Sequence, residues 1–254
     1  MGTVLQNGWR RAARSVLDFV YPPLCIGCRA PVSEPGNLCA ACWQGVGFLD
    51  GPACVCCGVP FDLDPGPGTR CAACYADPPS FDRARAVMRY DAASRGPILA
   101  LKHADRLDLV PGFARWLDRA GRELLDEADF IVPVPLHASR LWMRRYNQSA
   151  ELARGLGRLR SKPVEVLLLR RVRATPSQGE MPSAKARRRN MRGAFQVPHA
   201  SRARVAGRTV LLVDDVLTTG ATADACARAL KHAGAAKVHV LALARVVRPL
   251  TASI

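Results

Sequence analysis

Nine of the ten cysteines in this 254-residue chain fall between positions 25 and 74. Such clustering means either a disulfide framework or a metal site. The cysteines form two blocks of one layout. The first is Cys25-x2-Cys28, ten residues, then Cys39-x2-Cys42; the second is Cys54-x2-Cys57, 13 residues, then Cys71-x2-Cys74. Each pair lets two thiolates reach one cation from a tight turn, and two pairs complete a closed tetrahedral site with no position left for water. The expectation is two structural Zn²⁺ sites. Spacing leaves open which pairs share an ion, because the pairs can interleave. Disulfides need an oxidising compartment. Residues 1–24 lack the apolar run and cleavage site of a secretory signal, and no run reaches the ~18 apolar residues of a membrane span. A cytoplasmic location is expected. A redox role for the CxxC pairs is the weaker reading, since no thioredoxin-like βαβ pattern lies near them. Cys56 reads as a bystander thiol and Cys226 as core.

Three segments follow. In residues 1–23, Leu5, Trp9, Ala13, Val16, Leu17 and Val20 recur at helical spacing, and Pro22-Pro23 ends the element. Residues 24–80 form the cysteine module. Roughly 55 residues with few large apolar side chains bury too little surface to fold alone, so the metal must stabilise them. Pro78-Pro79 marks the boundary to residues 81–254. There, strands are expected at Ala84–Tyr90, Phe130–Val132, Val164–Leu169, Val210–Val213 and Val238–Leu243. Helices are expected at Gly96–His103, Phe113–Ala128, Ser149–Leu159 and Ala223–Ala233. This alternation predicts an α/β domain with a mainly parallel sheet and helices on both faces.

The sharpest motif runs from Val210 to Thr222, Val-Leu-Leu-Val-Asp214-Asp215-Val-Leu-Thr218-Thr219-Gly220-Ala221-Thr222. An apolar strand carries two adjacent carboxylates to its C-terminal edge, where ligands bind in open α/β sheets. A Thr/Gly loop and a helix start follow. Such a loop points backbone N–H groups at a phosphate, and the helix N-terminus adds its positive end. Asp214 and Asp215 are acceptor-only groups suited to two vicinal ribose hydroxyls. Thr218, Thr219 and Thr222 can add hydroxyl donors, and Gly220 permits close backbone approach.

This motif resembles the phosphoribosyl-pyrophosphate (PRPP) motif of type I phosphoribosyltransferases. Together with the cysteine pairs, Leu101-Lys102-His103, Val132-Pro-Val-Pro135-Leu-His137, Arg140, Arg144–Gln148, Arg188-Arg189-Asn190 and Arg192–Phe195, the chain resembles the ComF family. The resemblance covers residues 25 to 245. It implies a zinc-ribbon-like module with two four-cysteine sites before a phosphoribosyltransferase-like parallel sheet, and a tie to natural competence. It also implies that Pro133, Val134 and Pro135, with Arg140 nearby, hold pyrophosphate, that Arg170–Arg192 forms a basic lid, and that Mg²⁺ accompanies PRPP. The chain departs from the family pattern in Arg145-Tyr146, where Gly-Phe is usual, in His103, where Tyr is common, and in the additional Cys56.

Net charge is +16, and residues 140–192 hold 15 Lys or Arg against three Glu. Clustering of this kind is the electrostatic footprint of an anionic ligand. Three functions fit. One is a transferase that moves phosphoribose from PRPP, or a related sugar phosphate, to an acceptor the sequence does not name. The second is a single-stranded DNA-binding factor of the DNA-uptake machinery without turnover, with Trp43, Trp142 and Tyr146 as candidate stacking rings. The third is a PRPP sensor. His103 and His137 are the candidate general bases, and no base-recognition pattern is present.

Overall fold

The computed structural model describes residues 22–103, 106–174, 191 and 193–247. The expected N-terminal helix and most of the expected lid, including Arg188–Asn190 and Arg192, lie outside them. The elements in chain order are α1 (Ala40–Gly45), α2 (Ala72–Ala76), β1 (Arg83–Arg89), α3 (Ala92–His103), α4 (Val110–Ala120), α5 (Arg122–Glu127), β2 (Phe130–Pro133), α6 (Ala138–Arg144), α7 (Gln148–Arg160), β3 (Arg170–Arg171), β4 (Phe195–Gln196), α8 (Arg202–Val205), β5 (Thr209–Leu217), α9 (Ala221–His232) and β6 (Lys237–Arg245).

Four strands form one parallel sheet in the order β1-β6-β5-β2. Both faces are covered, so the strands are near-continuous apolar runs rather than alternating ones. On one face, α3, α4, α5 and α7 pack with Leu211, Val213, Leu241 and Leu243. On the other, α9 and residues of the β3–β4 ribbon pack with Val210, Leu212, Val238 and Val240.

Three elements differ from expectation. The helix expected over Phe113–Ala128 is two helices broken at Gly121. Gly121 lies so close to the sheet that a Cβ there would sit 2.5 Å from the Leu241 side chain. The strand expected at Val164–Leu169 reduces to one parallel bridge, Val164 to Ile131. The apolar run beyond it divides, Leu167 standing 72% exposed while Leu168 and Leu169 enter the core beneath α9. A short apolar run does not distinguish a strand from such a segment. The strand expected to end at Val213 continues through both aspartates to Leu217.

The two cysteine blocks straddle edge strand β1. Ile26, Leu38, Val46 and Phe48 of the first pack on the α4 face, where Trp43, Phe48, Phe113 and Trp116 form a ring cluster. Trp43, a candidate stacking ring, is thus engaged in docking. Cys54, Cys56, Cys74, Val59 and Phe61 of the second pack on the α9 face. Between the blocks, residues 47–49 pair with the free edge of β1 through Arg89 N to Gly47 O (2.8 Å) and Leu49 N to Val87 O (2.9 Å). This covers an edge that would otherwise offer unpaired backbone groups. Cys56 is buried, and its carbonyl accepts from Ala84 N at 2.6 Å.

One glycine shows how tightly the second block is seated. Gly58 has φ +69, and a Cβ there would lie 2.4 Å from the Ala84 carbonyl oxygen. Gly58→Ala combines left-handed strain with a clash against β1. It is expected to destabilise the chain by about 2–4 kcal/mol, read as a lower Tm in thermal melts of zinc-loaded protein.

Candidate functional site

The eight CxxC cysteines resolve into two sequential sets, Cys25, Cys28, Cys39, Cys42 and Cys54, Cys57, Cys71, Cys74. Within each, the sulfurs all lie within 4.8 Å of one another. Cys28 and Cys39 Sγ are 3.6 Å apart, and Cys57 and Cys71 Sγ 3.7 Å. A tetrahedral ion with ~2.3 Å Zn–S bonds calls for edges of about 3.8 Å, so the donor sets fit zinc. Backbone N–H groups of Gly27 and Cys39 donate to Cys25 Sγ, and those of Cys57 and Cys71 to Cys54 Sγ. Burial pushes both thiols up, but these donors outweigh it and bring Cys25 to about 6 and Cys54 to about 7. Thiolate character is what zinc requires. The pairs do not interleave, and Cys56 belongs to neither set.

Both aspartates stand near the carboxyl edge of β5, and the N-terminus of α7 meets them. Ser149 Oγ donates to Asp214 Oδ1 (3.1 Å), as does the backbone N–H of Asp215 (2.9 Å). Gln148 Nε2 donates to Asp215 Oδ2 (2.8 Å), and Lys102 Nζ pairs with that same oxygen at 3.2 Å. Asp215 is 7% exposed. It is therefore a held group, and the partly exposed Asp214 is the more open of the two. Burial first, then the charge of Asp215, push Asp214 up to about 7, with Lys102 and Ser149 offsetting this only in part.

This shift has a measurable consequence. The folded-state value lies above the ordinary 3.8, so the unfolded chain gives up this proton first as pH rises. Stability falls between about pH 4 and about pH 7 and is level above. Asp214→Asn removes that slope and is expected to be stabilised relative to wild type at pH 8 but not at pH 5, checked by thermal melts at the two values.

After Leu217 the chain turns through Thr218 and Thr219 into Gly220, whose φ of +79 is the left-handed conformation glycine adopts without strain. Ala221 then begins α9. Gly220 is the N-cap, no side chain caps the helix, and its first-turn N–H groups are left for another acceptor. Thr222 Oγ1 lies 3.9 Å from Met191 Sδ, and Thr219 Oγ1 is buried without a partner.

Pro133, Val134 and Pro135 are all buried. Val134 N donates to Val213 O at 2.9 Å, and prolines have no N–H. The triplet shapes the turn, so any amide cradle here begins after Pro135. Asn147 braces this turn by donating from Nδ2 to Val134 O (3.0 Å). Arg140 sits on α6. His137 caps that helix, accepting from Ser139 N. Arg145 follows it with φ +62, a left-handed position that accounts for the glycine usual there in the family pattern. Tyr146 donates its hydroxyl to Leu101 O, so this candidate stacking ring is tethered, whereas Trp142 is 86% exposed.

Lys102, Gln148 and Ser149 had no role in the sequence reading. Lys102 and Gln148 stood in its motifs, but only the fold brings α3 and α7 to the aspartates. The sequence also gave no sign of a cleft of about 1510 Å³ between the second ribbon and the sheet, which the 218–221 turn borders. Neither aspartate lines that cleft.

Residues 16–76 match the double zinc ribbon domain model, and residues 113–249 match the phosphoribosyl transferase domain model. The DNA utilization protein YhgH of Salmonella typhi is 33% identical over 233 residues, spanning 89% of this chain and 99% of that protein. Competence protein F of Haemophilus influenzae is 31% identical over 227 residues, spanning 87% and 96%. The chain belongs to the ComF family. YhgH of Escherichia coli K12, at 32% over 236 residues, has the same extent of match, 89% and 99%, so the similarity to these ComF relatives runs nearly end to end. Among solved structures, a glutamine PRPP amidotransferase from B. subtilis complexed with ADP and GMP is 24% identical with a TM-score of 0.36, over 57% of this chain and 30% of that one.

Proposed function

We propose that this ComF-family chain binds PRPP, or a closely related sugar phosphate, at the Asp214–Thr222 segment and transfers its phosphoribosyl group. The observation that carries this reading is the uncapped N-terminus of α9 behind the Thr218–Gly220 turn, one strand end away from Asp214. Helix N–H groups and the positive helix end suit the 5′-phosphate. Asp214 accepts from a ribose hydroxyl, and Asp215, held by Lys102 and Gln148, fixes the register of its neighbour. The catalytic contribution of the pair is to hold the sugar as its C1–O bond breaks. An acceptor nucleophile forms the new bond at C1, and the electron pair leaves with pyrophosphate. Mg²⁺, when bound to the hard oxygens of pyrophosphate, would neutralise part of the leaving group's charge.

A second reading, single-stranded DNA binding without turnover, is favoured by exposed Trp142 within the basic stretch. Ion pairs of Arg154 with Glu151 and of Arg160 with Asp118 and Asp126 take up part of that charge. The two readings separate in one pair of assays. PRPP-dependent pyrophosphate release supports transfer. No release with any acceptor, alongside oligonucleotide binding that weakens steeply with salt, supports the second. Among the described residues no helix is long and apolar enough to cross a membrane.

A further inference from the structure

We infer that the cleft between the second zinc ribbon and the sheet is a binding site for a planar aromatic carboxylate, held by Arg245 with Arg89 beside it. Binding of this ligand does not depend on the function proposed above.

The cleft, at about 1510 Å³, exceeds the roughly 300–1,000 Å³ of an ordinary ligand pocket. It has room for a ring system beside a sugar phosphate. Its walls carry the rings of Phe61, Phe81 and Phe195, and one end is the Thr218–Ala221 turn. The three rings suit a planar ligand, and Asp62, Asp77 and Ser80 add polar groups to the same lining.

Arg245 supplies the charge. It is the last residue of β6, lines the cleft and is 7% exposed. Its Nη1 donates to the Cys57 carbonyl, while its Nε is buried with no acceptor. No carboxylate pairs with it among the described residues. Asp224, which also lines the cleft, already accepts from Arg228 and from Ser80 N. A buried guanidinium without an anion is costly, and its planar fork takes a carboxylate two N–H groups at a time. Arg89 is the register partner of Arg245 on β1, is exposed, and makes no ion pair among the described residues. Two cations side by side at neighbouring strand ends repel each other until an anion joins them.

The sheet turns this row toward the ribbon. Alternation of faces lapses at one level, where Val87 and Met88 on β1, and Leu243 and Ala244 on β6, pack on the same face. Leu217, paired with Arg245, consequently falls on the ribbon face, and the two arginines follow it. Thr219, with its orphaned buried hydroxyl, lines the same cleft and offers a second polar contact.

The test is isothermal titration of the zinc-loaded full chain with benzoate against benzamide, nicotinate against nicotinamide, and 2-naphthoate against 2-naphthamide, with inorganic phosphate as a simple anion. At least one acid is expected to bind tenfold or more tighter than its amide and than phosphate. Arg89→Ala, an exposed change that leaves zinc content intact, should remove most of that preference, and Arg245→Gln should do the same. If Arg245→Gln loses zinc, Arg89→Ala decides. Asp214→Asn should keep the acid while losing Mg-PRPP, which separates failure of this inference from failure of the proposed function. The inference is overturned if no acid outbinds its amide tenfold, if phosphate binds as tightly, or if Arg89→Ala keeps the whole preference.

Discussion

Chelating zinc from this chain should unfold both ribbons and loosen the sheet between them. Structural zinc sites of this type contribute roughly 10 kcal/mol or more of folding free energy each, more than segments this poor in apolar surface gain from docking alone. The loss spreads because the ribbons share the two cores. Without the first, Ile26 and Phe48 leave the α4 face. Without the second, Cys54, Cys56 and Cys74 leave the α9 face. Edge strand β1 then loses its cover from residues 47–49 and its Ala84–Cys56 hydrogen bond. Hydrogen exchange on the apo chain should show fast amides along Arg83–Arg89 while β2 and β5 stay protected, together with a large drop in Tm. Unchanged protection in β1 would mean that the ribbons are independent of the sheet. The two sites can also be told apart. Cys28→Ser should expose the Trp43–Trp116 cluster, whereas Cys71→Ser should open the cleft beside the Thr218–Gly220 turn.

Lys102→Met is the point substitution expected to destabilise the candidate site most. Lys102 and Asp215 side chains are 19% and 10% exposed and pair at 3.2 Å. Removing one partner of a nearly buried pair leaves the other charge uncompensated, a loss of about 3–5 kcal/mol in such cases. Gln148 stays as a donor to Asp215, so about 3 kcal/mol is expected here. The double variant Lys102→Met with Asp215→Asn should recover most of it, because no charge is then stranded. Denaturant unfolding of the two variants checks this. Equal destabilisation by single and double variants would show that the pair does not carry the effect. The same pair means that Asp215→Asn alone disturbs the fold, so it is a poor probe of ligand binding.

The zinc layout, the parallel sheet and the Asp-Asp-Thr-Gly segment were legible because each depends on residues close in sequence. Four CxxC pairs point to two closed sites, though not to which pairs share an ion, and the run from Val210 to Thr222 carries strand, turn and helix start in 13 residues. What was not legible depends on contacts between distant segments. Gly121, where the expected helix breaks, packs against Leu241, 120 residues on, which leaves no room for a side chain. Val164–Leu169 divides between surface and core because α9 and the β3–β4 ribbon claim only part of it. Pro133–Pro135 reads as a phosphate loop by resemblance, yet its one N–H is spent on Val213. The docking of each ribbon on a different face of β1, and the arginine row it leaves at the cleft, have no local signature at all.

In the proposed function, Asp214 and the uncapped start of α9 together hold a phosphoribosyl group. This is tested most directly by titrating Mg-PRPP into zinc-loaded wild-type protein and Asp214→Asn at pH 8. Wild-type protein is expected to bind, and the variant, although at least as stable, to lose tenfold or more in affinity. Equal affinity in the two proteins, or no binding by the wild type, would contradict it.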